Sequence, residues 1–268
     1  MTRQQKKRPK PRENISSSTL ASPSVRLSVG YCHAEEVSSH FSRTWTSLLL
    51  AEQKANRLNN IWTIRSGPKV DDARNWLFQT WLDESEDTHF FMADTDMLLP
   101  ENTIDRLLEH DKDIVAGLAF SAGLSGTRVT PNIREIVETD NGAPTIQPIW
   151  DYPRDTLLQV DGVGAACMLV KREVATEMLR ARGEDHPAPW FAYGAHNGVL
   201  IGEDIAFCFT AMKCGFEVWV DTGLIIPHVK SVAIDDEAYV LSLNMAEHPH
   251  YDMREKVPVW NDNYGNLS

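Results

Sequence analysis

His89-Phe90-Phe91-Met92-Ala93-Asp94-Thr95-Asp96-Met97-Leu98-Leu99-Pro100 is the stretch that decides how this chain folds. Its apolar run is too short for a helix, stops at two aspartates one residue apart, and is closed by a turn at Pro100. The pattern predicts a buried strand that delivers two carboxylates to its C-terminal end. In open α/β sheets that end is where ligands bind. Paired carboxylates, completed by water and phosphate oxygens, suit a hard divalent cation. The competing account is local, with Asp94 and Asp96 merely capping the turn ahead of the next helix.

Outward from this stretch, apolar spacing alternates between strand and helix. Residues 25–31 alternate apolar and polar as a first strand would. Phe41, Trp45, Leu48 and Leu49 recur at helical spacing. Ile61-Trp62-Thr63-Ile64 is a short β-branched run, hence a second strand. Asp71 or Asp72 can cap the next helix, which is expected to turn Ala73, Trp76, Leu77, Thr80 and Trp81 inward. Beyond the central strand, Pro100-Glu101-Asn102 opens a helix with Ile104, Leu107 and Leu108 on its apolar face, and residues 113–119 form a further strand. Three strand–helix units closed by a fourth strand predict an α/β fold, a mostly parallel central sheet flanked by helices.

The rhythm breaks at Phe120. Residues 121–155 are rich in Gly, Pro, Thr and Asn, which predicts hairpins and loops and leaves room for an acceptor-specific insertion. Strands are expected at 157–162 and 165–170, then a helix from Glu173 to about Arg182. A Pro/Gly/aromatic loop comes next, over 183–200. Gly202-Glu203-Asp204 opens another helix, ended by Gly215. Two late strands are expected at 217–221 and 224–226, with His228 just past the second. The chain thus divides into a basic tail expected to be disordered (1–24), a main domain (25–229, with halves 25–120 and 121–229) and a polar C-terminal extension (230–268).

The 268 residues, 42% of them hydrophobic, suffice for a sizeable core. Four cysteines without CxxC or zinc-ligand spacing predict free thiols in a reducing cytosol. No apolar run reaches the roughly 18 residues of a membrane span, and the polar stretch 14–21 is no signal-peptide core. The net charge of −12 is uneven: six basic side chains against Glu13 give residues 1–13 a charge of +5 and leave −17 on the rest. So acidic a body is a poor general binder of duplex DNA, which requires neutralised phosphates. The basic tail is the one feature that suits an anionic partner.

In this order the features resemble the GT-A glycosyltransferases, in particular family 2-like enzymes of the kind bacteriophages carry. The resemblance rests on Ala73-Arg74-Asn75, Phe90 through Asp96, residues 113–117, Val160-Asp161-Gly162-Val163-Gly164, Gly202-Glu203-Asp204-Ile205-Ala206-Phe207 and Pro227-His228. It spans residues 25–228. The first strand departs from the family pattern, ending in Gly30-Tyr31-Cys32-His33-Ala34-Glu35 instead of a Pro-containing turn followed by Asn.

The resemblance implies a Rossmann-like fold and a metal-dependent, inverting transfer of a sugar from a nucleotide-diphosphate donor, with UDP as the expected nucleotide, to an acceptor hydroxyl. It makes Asp96 the direct ligand of Mn²⁺ or Mg²⁺, with Asp94 beside it and His228 as third ligand. An imidazole in the set favours Mn²⁺. Asp204 becomes the general base and Glu203 its positioning neighbour. Arg74 and Asn75 are placed near the donor nucleotide, and Asp161 with Gly162 and Gly164 at the sugar side. Trp190, Phe191 and Tyr193 either stack on substrate or anchor their loop, and residues 184–200 are expected to form a lid. The acceptor is left open among a virion protein, a glycan and a hydroxymethylated DNA base, with a cytoplasmic setting in the host cell. Two other functions stay open. A nucleotidyltransferase of this fold would carry a glycine-rich basic loop after the first strand, which residues 31–37 lack. A non-catalytic nucleotide- or carbohydrate-binding module would bind donor without turnover.

Overall fold

The computed structural model describes residues 25–122, 129–138, 144–183, 185–196 and 199–230. The expected basic tail (1–24) and nearly all of the C-terminal extension lie outside the described residues. Strands β1 (Leu27–His33), β2 (Leu58–Arg65), β3 (His89–Ala93) and β4 (Ile114–Ala122) alternate with helices α1 (Ser39–Lys54), α2 (Val70–Glu84) and α3 (Thr103–Glu109). Then come β5 (Val129–Pro131), β6 (Ile133–Glu138), β7 (Pro144–Pro148), β8 (Leu157–Val160), β9 (Gly162–Val163) and β10 (Cys167–Lys171). The chain continues through α4 (Arg172–Arg182), β11 (Gly194–His196), β12 (Val199–Ile201), α5 (Glu203–Lys213) and β13 (Val218–Ile226).

The central sheet runs β2-β1-β3-β10-β4-β13-β8, with β5 paired to β4. β1 pairs parallel with β2 and β3, and β4 pairs parallel with β13. β10 lies antiparallel between β3 and β4, and β8 is antiparallel at the edge. The sheet is therefore mixed but mostly parallel. β3 and β4 point the same way but are separated by β10.

Both faces of the sheet are covered, which explains the unbroken apolar run of β3. Phe90 and Met92 pack into one core cluster with Leu77, Phe78, Trp81, Met178 and Phe207. Phe91 and Ala93 face the other cluster, with Phe41, Trp45, Leu48, Ile104 and Leu107. A strand buried on both sides has no polar face to alternate with. Each fully buried Phe contributes about 1.5–3 kcal/mol relative to an exposed one.

Three local expectations are corrected. Trp76 points outward, 43% exposed, while Arg74 and Asn75 of the same helix are buried. The N-cap of α2 is Lys69 without a side-chain cap bond; Asp71 and Asp72 sit in the first turn, where their charges favour the helix dipole. The two late strands are one strand, β13, with an irregularity between Asp221 and Ile225. There Asp221 Oδ1 accepts the N–H groups of Gly223 and Leu224 at 2.9 and 3.1 Å, replacing ladder bonds that the bulge breaks.

Candidate functional site

β3 ends at Ala93, and the next residues are clamped from two sides. Asp94 N–H donates to Ala166 O at 3.0 Å, Leu98 N–H to Pro227 O at 2.9 Å and Val229 N–H to Asp96 O at 2.8 Å. Met97 and His228 form an isolated antiparallel bridge. The exit of β13 is thereby laid alongside the Asp94-Thr95-Asp96 turn, so Asp96 and His228, 132 residues apart in sequence, become neighbours.

His228 Nδ1 donates to Phe120 O at 2.8 Å, which turns Nε2 toward Asp96 Oδ2, also 2.8 Å away. Lys230 Nζ donates to the same Oδ2 at 2.6 Å. Burial works against the charge on Asp96. Hydrogen bonds from Lys230 and His228, with their positive charge, outweigh it and hold the carboxyl below its ordinary value. Asp94 faces elsewhere: its Oδ1 accepts from Arg74 Nη2 at 2.7 Å. Among the described residues, no three His, Cys, Asp or Glu side chains are gathered closely enough to hold a metal ion. The structure thus brings Asp96 and His228 together and leaves Asp94 on Arg74.

Arg74 joins three elements. Nη2 binds Asp94 after β3, Nη1 binds Glu203 Oε1 at the start of α5, and the guanidinium carbon lies 5.9 Å from the centre of the Phe191 ring. Burial opposes its charge, but the carboxylates of Asp94, Glu203 and Asp204 more than offset that and raise its pKa further. Asn75, one residue on, has its side chain engaged with backbone. Its amide donates to Asp71 O and Phe191 O at 2.8 and 2.6 Å, and its oxygen accepts from Trp190 and Phe191 N–H, each at 3.1 Å. Asn75 therefore fastens the aromatic loop to α2. Trp190 and Phe191 are wholly buried, with Phe191 stacked on Phe207 at 4.7 Å. Of the three loop aromatics Tyr193 is exposed, and its hydroxyl donates to Glu203.

Glu203 and Asp204 occupy the first turn of α5, where N–H groups and the helix dipole favour acids. Asp204 Oδ1 accepts from Ile205 N–H at 2.7 Å. A Cβ on Gly202 would lie 2.8 Å from that oxygen, so this fold-back of Asp204 needs glycine there. The other oxygen, Oδ2, lies on the Gly164 side. Burial pushes Asp204 above the ordinary aspartate value, against the pull of Arg74 and Ile205 N–H. Burial likewise pushes Glu203 up, with Arg74 opposing.

Two cavities meet at Asp204. One, about 420 Å³, is walled by Cys32 near the end of β1, by Ala34 and Ser66 just beyond β1 and β2, and by Arg74, Asp96 and Lys230. The other, about 380 Å³, is walled by Phe120, Asn132, Arg134, Ile146, Gly164 and Leu200. Asp94, Asp204 and His228 border both. Asp161 and Gly162 border neither. Asp161 Oδ2 accepts from Ile136 N–H at 2.6 Å in the hairpin layer. A Cβ on Gly162 would lie 3.1 Å from Ile205 Cδ1, so Gly162 lets β9 approach α5. Of the three residues expected at the sugar side, Gly164 is the one that borders a cavity.

Arg134, Asn132 and Lys230 were not legible as site residues. Arg134 Nη1 is pinned by Pro131 O and Ile133 O at 2.6 and 3.0 Å. Asn132 Oδ1 accepts from Ala119 N–H at 3.0 Å. Both come from the Gly/Pro-rich stretch, which has no periodicity to mark them.

Fold and cleft together define a mixed α/β protein whose acids converge on the C-terminal edge of a mostly parallel sheet. No protein-family model matches the chain, and no curated protein does. Among solved structures it is similar to A197 from STIV (14% identity, covering 77% of this chain and 87% of that one, TM-score 0.47). It is similar also to a glycosyltransferase involved in the glycosylation of the major capsid of PBCV-1 (11%, 60% and 68%, TM-score 0.32). A third is the inositol-1-phosphate CTP transferase from T. maritima (11%, 84% and 97%, TM-score 0.39).

Proposed function

We propose that this protein is a glycosyltransferase that moves a sugar from a nucleotide-diphosphate donor to an acceptor hydroxyl with inversion at the anomeric carbon. The observation that carries this is Asp204, a carboxylate raised by burial on the wall shared by the two cavities. The cavity beside Arg74, Asp96 and Lys230 takes the nucleotide diphosphate, whose charge Arg74 and Lys230 complement. The cavity beside Arg134 and Leu200 takes the acceptor.

In the reaction the acceptor oxygen bonds to the anomeric carbon, and the bond from that carbon to the diphosphate oxygen breaks. The diphosphate leaves with the electron pair, and the acceptor proton passes to Asp204 Oδ2. A base held above the ordinary aspartate value takes that proton more readily near neutral pH. Arg74 keeps Asp94 and the start of α5 in place, so Asp204 is aimed by a buried ion pair rather than by a loop. Asp96 and His228 fit as two donors for Mn²⁺: they are adjacent, and the Phe120 carbonyl fixes the imidazole with Nε2 outward. When bound, the ion supplies Lewis-acid neutralisation of the diphosphate.

The test is a panel of UDP-, GDP- and TDP-sugars with Mn²⁺, read by release of nucleoside diphosphate. At least one donor is expected to turn over, and Asp204→Asn to lower the rate about 10²–10⁴-fold, the usual worth of a general base. Full activity in Asp204→Asn removes it as the base. Nucleotide binding without turnover on any donor leaves a binding module in place of the enzyme.

A further inference from the structure

Beyond complementing the donor diphosphate, Lys230 holds a second position in the ligand-free site. Its ammonium donates to Asp96 Oδ2 at 2.6 Å, and that oxygen also faces His228 Nε2 at 2.8 Å. One carboxylate oxygen thus meets the imidazole and the ammonium together. A divalent ion held by that oxygen and His228 Nε2 would meet the ammonium there. Lys230 lies two residues beyond His228 on the segment bonded to the Asp94–Asp96 turn, where Val229 N–H donates to Asp96 O. It also borders the nucleotide-side cavity together with Arg74, Ser66 and Cys32. Its side chain is half exposed, so the ammonium can leave Asp96 without crossing packed protein.

We propose that Lys230 is a resident counter-cation of the site: it neutralises Asp96 while the site is free, competes with a divalent ion for Oδ2, and binds the donor diphosphate once released. This rests on the glycosyltransferase function proposed above. An ammonium shared between a carboxylate and an incoming diphosphate lets the site bind nucleoside diphosphate without an ion, though less tightly. It also makes ion binding in the free protein weaker than the ligands alone would allow.

The two roles have opposite signs in one variant. Lys230→Met is expected to weaken UDP binding in EDTA about tenfold, the worth of one charge-assisted contact to phosphate. In the nucleotide-free protein the same variant is expected to bind Mn²⁺ about thirtyfold more tightly at low ionic strength, because the repulsion between the ammonium and a divalent ion a few ångströms away is gone. Both are read by calorimetry on the full chain, with Mn²⁺ checked by electron paramagnetic resonance. Lys230→Arg is expected to preserve UDP binding in EDTA, which distinguishes the charge from the fold. Loss of both affinities in Lys230→Met marks a structural lysine and overturns the inference, as does unchanged Mn²⁺ affinity. Wild-type protein that binds no nucleoside diphosphate with or without Mn²⁺ overturns the proposed function, and the diphosphate role with it. The Mn²⁺ comparison still decides the competition at Asp96.

Discussion

Asp204 has to serve two opposing demands. Its burial beside Glu203 and Asp94 makes its charge costly, and Arg74 offsets only part of that. A carboxyl raised in the folded state is protonated there at pH values where the unfolded chain has already ionised. It therefore subtracts stability above its folded pKa and stops subtracting as pH falls through that value toward the unfolded one. Asp204→Asn keeps an oxygen for Ile205 N–H and removes the charge. The variant is expected to be more stable than wild type at pH 7, by about 0.5–2 kcal/mol, while losing turnover. Urea denaturation checks the first expectation. In wild type the acid limb of kcat/KM is expected above the ordinary aspartate range, because the free enzyme's base must be ionised. Equal or lower stability in Asp204→Asn at pH 7 argues against a charge held at a cost.

At the scale of elements, α2 and the aromatic loop form one unit through Asn75. Replacing Asn75 with Ala leaves the N–H groups of Trp190 and Phe191 without their shared acceptor in a dry environment. The expected cost is about 2–4 kcal/mol, seen as a lower denaturant midpoint, with faster proteolysis between residues 185 and 196. Wild-type cutting there is expected to fall on the Tyr193 side, since Trp190 and Phe191, expected to belong to a lid over 184–200, are core residues. The same helix explains what a sequence can and cannot tell. Helical spacing assigns Trp76 inward and treats Arg74 and Asn75 as surface, because it weighs polarity and not partners. Here the partners decide: Asp94, Glu203 and the Trp190–Phe191 backbone all lie on the Arg74 side. By contrast β3 was legible, since burial on both faces imprints an unbroken apolar run. The insertion of β10 between β3 and β4 was not, because strand adjacency across about 70 residues leaves no local trace. Arg134 was hidden for a similar reason: non-local pairings of β5 with β4 and of β6 with β9 bring its segment to the cavity.

Among the described residues, the buried carboxyls whose charge the fold perturbs include two kinds with opposite responses to acid. Asp204 and Glu203 in the cleft are raised, so acidification relieves them. Asp221, at the bulge of β13, is the other kind. Burial disfavours its charge, but bonds from Arg106, from His110 and from Gly223 N–H outweigh burial and lower its pKa. A carboxyl depressed in the folded state contributes stability that is fully present above its unfolded pKa and is lost as pH falls through the folded one. The bulge joins β13 to α3 through Arg106 and His110, and it sets where the strand exits toward His228. Asp221→Asn is expected to cost about 1.5–3 kcal/mol at pH 7, the worth of hydrogen bonds to a charged group. The difference from wild type should shrink as pH drops below the ordinary aspartate range and vanish once Asp221 is protonated in both states. Chemical denaturation at pH 7, 5, 4 and 3 reads this directly. A difference that stays constant down to pH 3 would show that packing at the bulge, and not the charge of Asp221, holds the end of β13 in place.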